Sequence, residues 1–318
     1  MNEPIIVATP QNTVLVIGTA AVIINNSRAA WLHQKILGRN RIPTKWRKVG
    51  EVREMIIYPL KSGTGVNLQE AVCTDLGLQS IGQDTTQLLD RTFLVFGSED
   101  RTYMTAARFP KMVLITITPE TDGNVLFKAP GMPTLRYKIP DSTKDELSAS
   151  TCIVWWSEKC RQLTVEKEQQ HGSHNTSWHY KKLRDRDVGA YSYLTGFMLL
   201  TDSSIADLES RLPQRLRNLS HRRFRGNFIV KDTIPYEEDT WDWVRVGEEA
   251  IFRTVKPCTR CVIINVDPDT AERDPQLEPL RTLRSYRLVT KPGAKDVEGP
   301  DPIMGVYLGL RIPGVVKE

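Results

Sequence analysis

Met112-Val-Leu-Ile-Thr-Ile-Thr118, a turn dipeptide Asp122-Gly123, then Val125-Leu-Phe127: two β-prone runs flank a pair of residues suited to a tight hairpin turn. Similar short apolar runs bounded by turn residues recur outward from it, at Met55-Ile-Ile-Tyr58 and Thr92-Phe-Leu-Val-Phe96. Further strands are expected at Asn227-Phe-Ile-Val230 and Cys261-Val-Ile-Ile-Asn-Val266. One amphipathic helix stands between them. Ile205, Leu208 and Leu212 recur at helical spacing, Ser203 or Ser204 can cap its start, and Pro213 ends it. The polar, aperiodic segment Glu166–Asp187, which holds His171, His174 and His179, is the candidate connection between two lobes. The reading is a β-dominated chain with few helices.

A length of 318 residues suits one large or two medium domains. The five cysteines (Cys73, Cys152, Cys160, Cys258, Cys261) are odd in number and scattered, which points to a reducing compartment and not to a disulfide framework. The net charge of +5 is unevenly spread. Residues 1–48 carry seven basic side chains and one acid, Glu3, leaving 36 basic against 37 acidic in the body. A near-neutral body argues against a nucleic-acid binder.

The leader has no charged residue from Pro4 to Ser27, and its densest apolar part is Thr13–Ile24. That is short for a span of about 20 residues, although the flank Ile5-Ile-Val-Ala8 can extend it. Positive charges follow the apolar stretch, so a cleaved signal peptide is disfavoured and the body belongs on the cytosolic side. Residues 1–27 are therefore expected to be an N-terminal membrane anchor, and 28–48 a basic linker.

Chemistry concentrates at Lys256-Pro-Cys-Thr-Arg-Cys261. A thioredoxin-type pair needs its first cysteine at a helix N-terminus, and the β-branched run after Cys261 speaks against that helix. A zinc site needs four ligands, and beyond Cys258 and Cys261 only His171-x-x-His174 offers a set. Two core cysteines, or one thiolate binding a cofactor-borne metal with Arg260 and Thr259 at its side, are the remaining readings. Lys61-Ser-Gly-Thr-Gly65 resembles a phosphate cradle, but its lysine precedes the glycines, so it is not a P-loop. Arg225 in Arg223-Phe-Arg-Gly-Asn227, and Arg91 after Asp90, are candidate phosphate clamps or ordinary ion-pair partners.

Three elements in this order resemble the MOSC-domain molybdenum enzymes: Tyr58-Pro-Leu-Lys-Ser62, Arg225-Gly-Asn227, and Cys258-Thr-Arg-Cys261 followed by Asp267-Pro-Asp-Thr270. The likeness runs from about Val49 to Pro313 and is strongest toward the family's amidoxime-reducing branch. It implies an α+β, β-barrel-rich fold: an N-terminal MOSC-associated β-barrel domain over 49–170, then a MOSC domain over 171–318. It implies a molybdenum cofactor (Mo-molybdopterin) with Cys261 as the protein's metal ligand and catalytic residue. Lys61, Ser62, Arg91, Thr195, Arg225, Asn227, Thr259, Arg260 and Tyr307 match cofactor-binding positions, and Cys258 gains no role.

The implied activity is two-electron reduction of N-hydroxylated compounds (amidoximes, hydroxylamines, N-oxides), with the oxygen leaving as water. Because no flavin, haem or nicotinamide motif is present, electrons are expected from cytochrome b5 and its NADH-dependent reductase. The implied location is the outer mitochondrial membrane, facing the cytosol. Rival readings are a MOSC sulfur-carrier or cofactor-sulfurating protein, and a membrane-anchored binding module without catalysis. Two departures stand out. The family's Thr-Ala-Arg before a proline is here Thr105-Ala-Ala-Arg108-Phe-Pro110, with the arginine one place later. The chain also ends at Glu318 without the family's last Gly-Asp-x-Val strand, which is expected to weaken the C-terminal barrel.

Overall fold

The computed structural model describes residues 4–8, 42–82, 84–97, 103–139, 153–155, 182–290 and 299–318. The first half supplies β1 (Pro4–Ala8), β2 (Arg47–Ile57), β3 (Val66–Leu68), β4 (Glu70–Thr74), β5 (Gly77–Ser80) and β6 (Phe93–Val95). It continues with β7 (Thr116–Pro119), β8 (Asn124–Lys128), β9 (Leu135–Lys138) and β10 (Ile153–Trp155). Then come β11 (Phe197–Thr201), helix α1 (Asp202–Arg211), β12 (Phe228–Lys231), β13 (Trp243–Val246) and β14 (Ala250–Thr259). Helix α2 (Leu280–Tyr286), β15 (Ile303–Ile312) and β16 (Gly314–Lys317) complete the described elements.

The main sheet runs β1-β13-β14-β15-β11-β12-β2-β3, and a further pairing of β1 with β2 closes seven of these strands into a barrel. Closure removes the open edges that a sheet otherwise exposes. Inside, Phe197, Phe228 and Phe252 pack with ring centroids 5.0–6.3 Å apart, beside Ile5, Met55, Ile57, Val244 and Leu308. The period-2 alternation of a strand sends Ile56 and Tyr58 the other way. They join a second cluster beneath the helices, with Ile205 and Leu208 of α1 and Leu280 and Leu283 of α2. The outer face of β2 is thereby the floor of the site described below.

The expected β-dominated class with few helices is what the chain adopts. The hairpin is as expected: Asp122 and Gly123 take φ of 57° and 75°, as a type I′ turn requires, between paired β7 and β8. The helix is also found, ending before Pro213, but its cap is Thr201, whose side chain accepts from the Ser204 N–H. Two strand expectations are corrected. Pro110–Leu114 is a 3-10 helix that consumes the first half of the run from Met112, with Pro110 in its first turn, where the missing N–H costs nothing. Val262–Asn265 is likewise a 3-10 helix, with Cys261 as its N-cap. The β-branched run after Cys261 therefore does not exclude a helical turn.

The sheets cross the expected boundary at 170/171. β2 pairs with β12, β16 pairs with β4, and one buried cluster takes in Ala71, Phe93 and Phe127 together with Phe228 and Leu310. The leader is corrected in part. Pro4–Ala8, expected as a flank of the membrane anchor, is a barrel strand paired with β13 and β2, and Ile5 is fully buried. Thr13–Ile24, most of the 28–48 linker, and the histidines of Glu166–Asp187 lie outside the described residues. The barrel is closed, with β1 bridging β13 and β2.

Candidate cofactor site

The site begins where β2 ends. Tyr58 is 1% exposed, and its N–H donates to the Asp90 carboxylate at 2.8 Å. Two guanidinium groups lie over its ring, Arg225 at 4.2 Å and Arg91 at 5.3 Å from the centroid. Such stacking favours the cations through the ring's negative face. Arg91 is ion-paired to Asp90, and its Nη2 donates to the Arg225 carbonyl at 3.1 Å. Burial works against the Arg91 charge, but Asp90 more than restores it and its pKa lies above the ordinary value.

Arg225 is different. Its Nη1 donates to the Gly63 carbonyl at 2.8 Å, its Nη2 is buried without a partner, and among the described residues no carboxylate is salt-bridged to it. Burial, with the like charge of Arg91 nearby, pulls its pKa down to about 10. A buried cation lacking an anion is costly. Its backbone is left-handed at φ 56°, and its guanidinium lies over the Tyr58 ring.

The loop Lys61–Gly65 departs from the expected cradle. The N–H groups of Lys61, Gly63 and Thr64 donate to the carbonyls of Phe93, Leu60 and Ile115, all at 2.9 Å. The glycines matter for packing instead: a Cβ on Gly65 would lie 2.8 Å from Tyr58 Cε1. Ser62 is buried in left-handed backbone, and Lys61 Nζ stands 4.6 Å from the Tyr103 ring centroid. Tyr58, Gly63, Thr64, Gly65, Val113, Arg222, Arg225, Pro268 and Asp269 line a small cleft. The Asp267–Thr270 signature thus forms one wall of it. Asp267 Oδ1 accepts from the N–H groups of Asp269 (2.9 Å) and Thr270 (3.0 Å), and Arg223 Nη2 holds Oδ2 at 2.6 Å.

Cys261 is exposed, while Cys258 is 4% exposed. Enough protein surrounds the Cys261 sulfur that desolvation raises its pKa, against the Ile263 N–H and the Arg260 charge, which lower it. Arg260 is held by backbone carbonyls. Its Nε donates to Met304 O at 2.8 Å, its Nη1 to Phe224 O at 2.7 Å, and its Nη2 to Met304 O at 2.5 Å. The guanidinium's N–H groups are engaged by the protein's own carbonyls, so it helps to position the site. It ties the residue before Cys261 to the residue before Arg225.

Three other expected cofactor residues have contacts within the protein. Asn227 is fully buried, its amide donating to Ile56 O (3.1 Å) and accepting from the Met198 N–H (3.1 Å), which pins β2 to β11. Thr195 is buried with its hydroxyl on Phe197 O at 2.8 Å. Thr259 closes β14 opposite Ile303, and its carbonyl accepts from the Cys258 thiol at 3.7 Å. Tyr307 lies against Cys258, and burial pushes its phenol well above the ordinary value. Arg108 is exposed on the Phe109 ring, outside the cleft.

The structure thus brings Arg91 and Arg225 together and couples Cys261 to them through Arg260. Sequence reasoning missed Tyr58 and Asp90 as parts of the site. The signal was present, since Tyr58 opens the quoted run Tyr58–Ser62 and Asp90 precedes Arg91. Among the described residues no group of three or more His, Cys, Asp or Glu side chains is placed to hold a metal ion. A single exposed thiol such as Cys261 can serve a metal that arrives with other ligands of its own. The donor set fits an anionic, thiolate-ligated metal cofactor: an unanswered buried guanidinium at one place and an exposed thiol coupled to it.

Comparison with known proteins agrees with this geometry. Residues 49–169 match the MOSC N-terminal beta barrel domain, and residues 191–318 the MOSC domain. The mouse mitochondrial amidoxime-reducing component 1 is 33% identical over 323 residues, covering 96% of this chain and 89% of the relative. The human component 1 is 32% identical over 330 residues, covering 93% and 94%. The bovine component 2 is 32% identical over 307 residues, covering 91% and 86%.

Proposed function

The chain belongs to the MOSC-domain family that includes the mitochondrial amidoxime-reducing components, and on that footing we propose that it is a molybdenum-cofactor oxidoreductase that reduces N-hydroxylated compounds. The observation that carries the reading is Arg225, a buried cation with an orphaned Nη2 and no salt-bridged carboxylate among the described residues, coupled through Arg260 to the exposed thiol of Cys261. When bound, the molybdenum cofactor supplies the two-electron chemistry that breaks an N–O bond, releasing the oxygen as water.

The chain's own residues do the rest. Arg225 and Arg91 neutralise the cofactor's anionic end, and the Tyr58 ring holds these two like charges side by side. Cys261 provides the one protein sulfur to the metal. Arg260 and the Asp267–Thr270 turn fix that sulfur relative to Arg225, because small displacements of a site group cost rate steeply.

Electrons come, in this proposal, from cytochrome b5 and its NADH-dependent reductase. The protein works at the outer mitochondrial membrane with its body in the cytosol.

The test is NADH oxidation dependent on a generic amidoxime, with the full chain, cytochrome b5 and its reductase reconstituted together. Turnover by the wild type and its loss in Cys261→Ser, with the fold retained by circular dichroism, are expected. Retained turnover in Cys261→Ser with molybdenum bound would falsify the assignment. Wild-type protein that carries a persulfide on Cys261 and reduces nothing favours the sulfur-carrier reading.

A further inference from the structure

The Tyr58 hydroxyl has no task in the scheme above. It is buried and has no hydrogen-bond partner. Buried hydroxyls are nearly always paired, so an orphan calls for a reason. Packing does not supply one, because a phenylalanine would fill the same ring stack without leaving a donor unmet. Gly65 leaves room for the ring, Asp90 holds the Tyr58 N–H, and the two guanidiniums fix the ring plane. The hydroxyl is therefore held in place by everything around it except a partner of its own.

Arg225 Nη2 is orphaned on the same stack, and both residues line the same cleft. Two unmet donors, one of them on a cation with no salt-bridged carboxylate among the described residues, have a definite complement: an anionic group with several acceptor oxygens, of which a phosphate monoester is the fitting class. Burial raises the phenol's pKa, so the group remains a donor.

We propose that the Tyr58 hydroxyl is a further ligand of the phosphate-bearing end of the cofactor, forming with Arg225 Nη2 a two-donor clamp. The inference rests on the cofactor reading above. In this role the ring carries the guanidiniums and the hydroxyl completes the anion's hydrogen bonds.

The test uses full-length protein from a cofactor-competent host. Tyr58→Phe keeps the ring and removes only the O–H. The readouts are molybdenum and pterin per chain, and the rate at which pterin leaves the loaded protein, followed by its fluorescence. Loss of one hydrogen bond to a charged group predicts release about tenfold to a hundredfold faster, with an unchanged circular dichroism spectrum. Wild-type release from a fully loaded Tyr58→Phe chain overturns the proposal and leaves the cofactor reading standing. Fast release from Tyr58→Leu alone, with Tyr58→Phe behaving as wild type, assigns the effect to the ring and also overturns it. A wild-type chain that carries neither molybdenum nor pterin overturns both.

Discussion

Arg260 and Arg225 look equivalent in sequence, each an arginine beside a motif residue, yet they do opposite things. Arg260 is 5% exposed and its fork is filled by the carbonyls of Phe224 and Met304; Arg225 keeps one arm empty. Residue type told that both are cations able to bind oxygen anions, but which oxygens they meet depends on chain segments far apart in sequence. Arg260→Lys separates the two roles. A lysine keeps the charge and loses the fork, so chain stability should fall by roughly 2–4 kcal/mol in urea unfolding, and the coupling of Cys261 to Arg225 should loosen with it. An unfolding midpoint equal to wild type would show that the fork holds nothing. Asn227 teaches the same point. Its place in a motif was legible, but only the β2–β11 contact reveals that its amide is a bolt inside the barrel wall.

Among the elements, those set by local spacing were readable and those set by context were not. The Asp122-Gly123 hairpin and α1 follow from turn chemistry and 3.6-residue periodicity. Val262–Asn265 reads as a strand by β-branching, and β propensity yields readily to context; here a four-residue 3-10 turn places the Cys261 sulfur at its start. Another 3-10 turn, Glu237–Thr240, makes a pH prediction. Glu238 is fully buried beneath the start of α1, where Thr201 and Ser204 hydroxyls donate to its carboxyl at 2.9–3.1 Å. Burial, assisted by Asp239, pushes its pKa up to about 7, against those hydrogen bonds. The unfolded chain releases this proton near the ordinary 4.5, so the group's contribution is complete below that value and is lost as pH rises to about 7. Glu238→Gln, which stays neutral, should therefore be more stable than wild type above pH 7, by an amount on the order of 3 kcal/mol, with the gain vanishing below pH 4.5. Urea unfolding at several pH values checks it, and a gain that is the same at every pH would refute the buried-acid account.

At the scale of the whole molecule, the least legible feature is the closing strand. Nothing local marks Pro4–Ala8 as a partner of both β2 and β13, because an apolar run beside a longer apolar run reads as one leader. Pairing across such distances is a property of the barrel, whose ring needs one more strand between β13 and β2. The same closure gives the site its rigidity: β2 presents Met55 and Ile57 to the barrel interior and Tyr58 to the cleft, and so the platform for the two guanidiniums is part of the barrel wall. The central claim is that this platform holds an anionic molybdenum cofactor through Arg225. Metal analysis of full-length wild type and Arg225→Gln, expressed side by side in a cofactor-competent host, tests it most directly. The account predicts molybdenum in the wild type and less than about a tenth of that content in the variant, in line with the loss of a charge-assisted contact at a buried site. Equal molybdenum in both, or none in the wild type, would contradict it.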